Sequence, residues 1–154
     1  MRTAAMILMA AAMTGCIRST TDPVTGRVDV DIESPTQRGQ EWNARIGGQA
    51  IASISGTAVA RVHDGQTQVT VNLTGVPAGD ARPWHVHDGK CNSGGGIVGS
   101  ASAYPPLTVG ADGRATGNAT LQLQLDEARD YHVNVHASAA QMGTIVACGD
   151  LSDR

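Results

Sequence analysis

Five histidines are the residues best able to do chemistry in this chain, and three of them are spaced so that strands would gather them into one site. His85 and His87 flank Val86, and residues two apart on a strand project from the same face. Both imidazoles can therefore reach one ion. In Tyr131-His132-Val133-Asn134-Val135-His136 the valines are expected to face the core, with His132, Asn134 and His136 on the opposite side. His136 meets the first pair if the two strands are neighbours. His132 stands about 13 Å from it along an extended strand, too far to ligate the same ion without a bend. The expected ligand set is thus His85, His87 and His136. Three imidazoles with no carboxylate or thiolate ligand suit copper or zinc, and their pattern does not separate the two metals.

Other residues carry weaker signals. Met142 is a candidate soft fourth donor, although methionine more often fills packing gaps. Asp88, next to His87, is either an acceptor that orients an imidazole or a solvated loop charge. His63, beside Asp64 and Gly65, reads as an exposed turn residue, and Trp84, facing opposite to His85, as core. No nucleophile motif, phosphate loop or carboxylate pair stands out.

The elements that must position the histidines are expected to be strands. Glycine occurs 19 times, phenylalanine is absent, and Trp42, Trp84, Tyr104 and Tyr131 are the whole aromatic complement. Such a core is built from small and β-branched side chains, which fit a pleated surface. Short alternating segments at 50–61, 66–73, 84–87, 115–125, 131–136 and 144–148 are separated by turns such as His63-Asp64-Gly65 and Ala111-Asp112-Gly113. Residues 126–129 read as a helical turn, and no full helix is visible. The fold class is all-β, an antiparallel sandwich or flattened Greek-key barrel. A formal charge of −3 with a single lysine, Lys90, offers no basic stripe, which argues against nucleic-acid binding.

The chain divides into residues 1–15, 16–48 and 49–154. Arg2, an apolar stretch and Met13-Thr14-Gly15 before Cys16 have the layout of a secretory signal. A cysteine in that place resembles the lipidated first residue of a mature bacterial lipoprotein; the alternative is an ordinary residue behind a cleaved signal. Ile17 at the next position is not the aspartate that would suggest inner-membrane retention, so the resemblance implies the outer membrane if the source is Gram-negative. Residues 16–48 are polar and rich in turn signals, and read as a tether with one short strand at 28–32, onto whose domain Trp42 could pack. No apolar run approaches the roughly 20 residues of a spanning helix. With Cys16 set aside, Cys91 and Cys148 remain as a pair in an exported chain, for which a disulfide is the first expectation and two buried thiols the alternative.

Four blocks in order resemble the Cu/Zn superoxide dismutase family. Pro83-Trp84-His85-Val86-His87-Asp88-Gly89-Lys90-Cys91 resembles the family's aromatic-His-Val-His segment and the disulfide cysteine that follows it. Residues 105–116 look like a strand and hairpin of the bacterial enzymes, Val135-His136-Ala137 like the later copper-histidine strand, and Val146-Ala147-Cys148-Gly149 like the second disulfide cysteine. The resemblance implies a Greek-key β-barrel, a copper ion held by His85, His87 and His136, a Cys91–Cys148 disulfide, and superoxide as the small ligand. Departures accompany it. The family's bridging and zinc-binding histidines belong between Cys91 and Pro105, where this chain has none, and Ala103 replaces the zinc aspartate. No zinc site of the family type is expected. Ile145 replaces the family's catalytic arginine, residues 137–144 are too few for its charged loop, and only Lys90 and Arg82 remain as local cations. Three readings follow: a lipid-anchored, periplasm-facing copper protein with weak or modified dismutation; a non-catalytic copper-buffering or transfer module; or a metal-free structural β-domain.

Overall fold

A computed structural model describes residues 17–21, 28–32, 40–79 and 81–153. The expected signal segment and Cys16 lie outside these residues. Two units are distinct, one up to Arg38 and one from Gly39. In the first, β1 (Ile17–Thr21) pairs antiparallel with β2 (Val28–Ile32), so the strand expected at 28–32 has a partner.

The second unit is a single eight-stranded antiparallel sheet made of β3 (Glu41–Gly48), β4 (Ser55–His63), β5 (Gln66–Thr74), β6 (Trp84–Asp88), β7 (Thr108–Val109), β8 (Ala115–Leu121), β9 (Tyr131–His136) and β10 (Ile145–Asp153). Their order is β6-β9-β10-β3-β4-β5-β8-β7. Period-two patterning explains the strands: along β5, Thr67, Val69, Val71 and Leu73 are buried while the residues between them face outward. β3 corrects the expected domain boundary. Residues 41–48, expected in the tether, pair with β4 and β10 near the middle of the sheet. Trp42, Ala44 and Ile46 are buried there, so Trp42 is a core residue of the domain. Two further segments are trimmed: residues 50–54 are turn rather than strand, and β8 ends before Leu123.

The chain crosses between sheet edges after β5, after β6 and after β8, the connections of a Greek key. Arg82 and Leu107, which lead into the two edge strands, exchange both backbone hydrogen bonds, 3.0 and 2.8 Å long. The sheet thereby curls into a flattened barrel. Inside it Trp84, Val86, Leu107, Val133 and Val135 are fully buried. The Trp84 indole donates to the Pro105 carbonyl (2.8 Å) and lies against Gly117, where a Cβ would stand 2.8 Å from Nε1 and 2.6 Å from a Leu107 methyl. Cys91 and Cys148 form a disulfide spanning 57 residues, which fastens the segment after β6 to β10. Asp126 accepts from the Arg129 N–H (3.1 Å) in the expected turn. Among the described residues the only helical segment is a single 3-10 turn, Ala101–Ala103, and no helix is long and apolar enough to cross a membrane.

Candidate metal centre

β6 and β9 are adjacent, with His85 opposite Asn134 and His87 opposite His132. His136, one step past the pairing of Trp84 with Val135, donates its backbone N–H to Pro83. The valines and Trp84 enter the barrel core, as their alternation implied, and the histidines occupy the other face. That face is not open. Every residue of β9 is buried, because the segments after β6 and after β9 fold over it. His85 and His136 are buried, and His87 is partly exposed as a residue although its Nε2 is enclosed.

The structure brings together the three histidines expected from sequence. One ring nitrogen from each of His85, His87 and His136 lies within 4.8 Å of the others. His85 Nδ1 is 3.2 Å from His136 Nε2. His87 Nδ1 is 2.8 Å from the Gly95 carbonyl, and His136 Nδ1 is 2.6 Å from that of Met142. A carbonyl only accepts, so its partners assign the ring proton of both residues to Nδ1 and leave Nε2 as a lone-pair donor. His87 Nε2 is buried without a hydrogen-bond partner among the described residues, a costly state for an acceptor unless a cation takes its lone pair. The donor set therefore fits a metal ion. Anchoring of ligand imidazoles by carbonyls is also how metal sites fix ring orientation.

Electrostatics point the same way. Burial, reinforced by the His136 and His87 imidazoles, lowers the His85 pKa to about 4. Burial also lowers those of His87 and His136, against the opposing pull of the Gly95 and Met142 carbonyls. All three rings are accordingly neutral near pH 7, the form that binds metal. Residues 92–104 and 137–145, which supply the two anchoring carbonyls, contain no charged side chain. Each contributes one exposed large apolar residue, Ile97 and Met142.

The other candidates contribute no imidazole to the cluster. Met142 contacts the cluster through its backbone carbonyl on His136 Nδ1, and the residue is 37% exposed. Asp88 lies 2.7 Å from the Arg129 guanidinium, an ion pair rather than an imidazole acceptor. His63 is exposed, as expected, but ends β4 opposite Gln66 rather than sitting in the turn, and lies 2.9 Å from Asp64. Ile145 stands opposite His136 across β9 and β10. Lys90 faces Asp130 at 3.9 Å, and Arg82 donates to the Ala137 carbonyl at 2.6 Å.

Sequence reasoning missed three contributors. Tyr104 places its ring edge-on to His85 with centroids 5.2 Å apart, its hydroxyl donating to the Val98 carbonyl (2.7 Å) and its pKa raised by burial. The Gly95 and Met142 carbonyls leave no trace in residue identity, although Gly95 carries a steric one: a Cβ there would overlap the Asp88 carbonyl, so only glycine lets the loop lie this close to β6. No protein-family model matches the chain, and a search of curated proteins returns no match.

Proposed function

We propose that this protein is a divergent member of the Cu/Zn superoxide dismutase family that binds one copper ion through His85 Nδ1, His87 Nε2 and His136 Nε2, with dismutation weak or modified. The carrying observation is the convergence of those three nitrogens, two of them aimed by carbonyl anchors and one buried without a partner. An all-imidazole set suits copper, and the ordered ligand blocks favour it over zinc. The Cys91–Cys148 disulfide supports export to an oxidising compartment, and the sequence up to Cys16 is the ground for lipidation there and for an outer-membrane anchor facing the periplasm.

Copper bound here would supply one-electron exchange with a small ligand such as superoxide. The chain's own residues hold and shield that centre. The Gly95 and Met142 carbonyls fix the Nδ1–H directions of His87 and His136, Tyr104 covers the flank of His85, and the two uncharged segments enclose the rings. Ile145 beside His136 offers neither charge nor a donor for an incoming anion. This fits weak rather than fast dismutation and keeps a copper-buffering or transfer module as the second reading.

Superoxide turnover by the copper-loaded protein, with His136→Ala as control, tests the assignment. The expected outcome is one copper per chain, lost in the variant, with turnover far below that of a complete dismutase. A rate equal to a complete enzyme's would refute weak catalysis. Failure of both Cu(I) and Cu(II) to bind, with no effect of His85→Ala, would leave the metal-free structural domain.

A further inference from the structure

His132 and Asn134 are the polar residues of β9 that the three-histidine site does not use, and both are buried. They alternate with the valines, so they share the face of His136 and stand directly across from His87 and His85. His132 is 1% exposed, and both of its ring nitrogens are engaged. Nδ1 lies 2.8 Å from the Gly89 carbonyl and Nε2 lies 3.2 Å from the Asn134 amide nitrogen. The carbonyl requires a proton on Nδ1, and the amide then donates to the Nε2 lone pair. This ring cannot turn without breaking a bond at each end. It stacks on His87 with centroids 5.4 Å apart and planes 22° from parallel.

A hydrogen bond and a stack restrain different motions. The Gly95 carbonyl fixes the direction of the His87 Nδ1–H but leaves the ring able to swing about that axis. A flat, immobile neighbour removes the swing. We propose that His132 is a positioning residue for the metal centre, holding the plane of His87 so that Nε2 points at the partner nitrogens, and that Asn134 locks His132 in place. The ligand set itself stays His85, His87 and His136. The assignment rests on the metal-binding reading above and adds a second layer to it, of the kind whose loss weakens metal affinity about 10- to 100-fold.

The test is copper binding and Cu(II) electron paramagnetic resonance on the full chain and on His132→Ala, His132→Phe and Asn134→Leu, with thermal unfolding of each metal-free protein. His132→Ala is expected to keep one copper per chain, bind it at least about tenfold more weakly, and shift the hyperfine splitting. His132→Phe keeps a flat ring but leaves Gly89 and Asn134 unpaired; it should melt lower than the unsubstituted protein yet bring the spectrum part of the way back from that of His132→Ala. A purely structural role would make spectrum and melting temperature move together. Asn134→Leu should fall between, broadening the spectrum as the His132 ring gains freedom. Unchanged affinity and spectrum in His132→Ala would overturn the proposal, as would a His132→Phe spectrum matching that of His132→Ala. Absence of copper from the unsubstituted protein would overturn the metal reading itself, a distinct result.

Discussion

Acidification from pH 7 to pH 5 distinguishes an enclosed, neutral histidine cluster from three independent imidazoles. An imidazole with the ordinary pKa of about 6.5 is about three-quarters neutral at pH 7 and about 3% neutral at pH 5, so each such ligand weakens metal binding about 25-fold. Three together would cost about 10⁴-fold. His85 does not follow that course: with its pKa lowered to about 4, it is still about nine-tenths neutral at pH 5. Two ordinary ligands alone cap the loss at about 600-fold, and the lowered values of His87 and His136 bring it below that cap. The assay is competition for Cu(II) against a chromophoric chelator of known proton equilibria at pH 7, 6 and 5. A loss of 10⁴-fold or more would show that the rings titrate as solvated groups and would refute the argument from burial. Stability of the metal-free protein responds to the same shifts. Unfolded histidines take up protons as pH falls through about 6.5 while the folded ones stay neutral, so stability is full above 6.5 and declines toward pH 4.

Replacing Cys91 by Ser and Cys148 by Ala frees a 57-residue loop, worth about 4 kcal/mol on the chain-entropy account. The melting temperature should drop by about 15 °C, and a drop below about 4 °C would contradict a stapled fold. Gly117→Val drives a side chain into Trp84 and Leu107, with an expected loss of about 1–3 kcal/mol and altered tryptophan fluorescence in denaturant titration. No loss would mean the indole has room to move. Because residues 92–104 and 137–145 carry no charge, any superoxide turnover of the copper-loaded protein should change less than about twofold between 10 and 200 mM salt. A tenfold fall with salt would reveal steering from charges elsewhere.

Strand alternation made much of this molecule legible. β5, β6 and β9 contain the expected segments whole, and β4 and β8 contain most of theirs, because a sheet with one face in the core writes a period of two into the chain. β3 was hidden, although Trp42, Ala44 and Ile46 alternate with Glu41, Asn43 and Arg45. Alanine is a faint hydrophobic signal, and Gly47-Gly48 punctuates the end of the strand as a linker would. β9 was half legible. Its histidine face reads as solvent-exposed in a simple alternation, yet loops bury it, and no local pattern announces a covering loop built of Gly, Ser and Ala.

By itself the sequence determined that His85 and His87 share a face, that Trp84 opposes them, and that the domain is built of strands; each follows from geometry within a few residues. Only tertiary structure brought His136 beside that pair and aimed the rings. Sheet order is set by pairings between distant segments, and the atoms that orient His87 and His136 are backbone carbonyls of Gly95 and Met142, which every residue possesses. His132 shows the same division. Its place on the ligand face is written in the alternation of β9, but its role as a buried plane behind His87 exists only because β6 and β9 pair in this register.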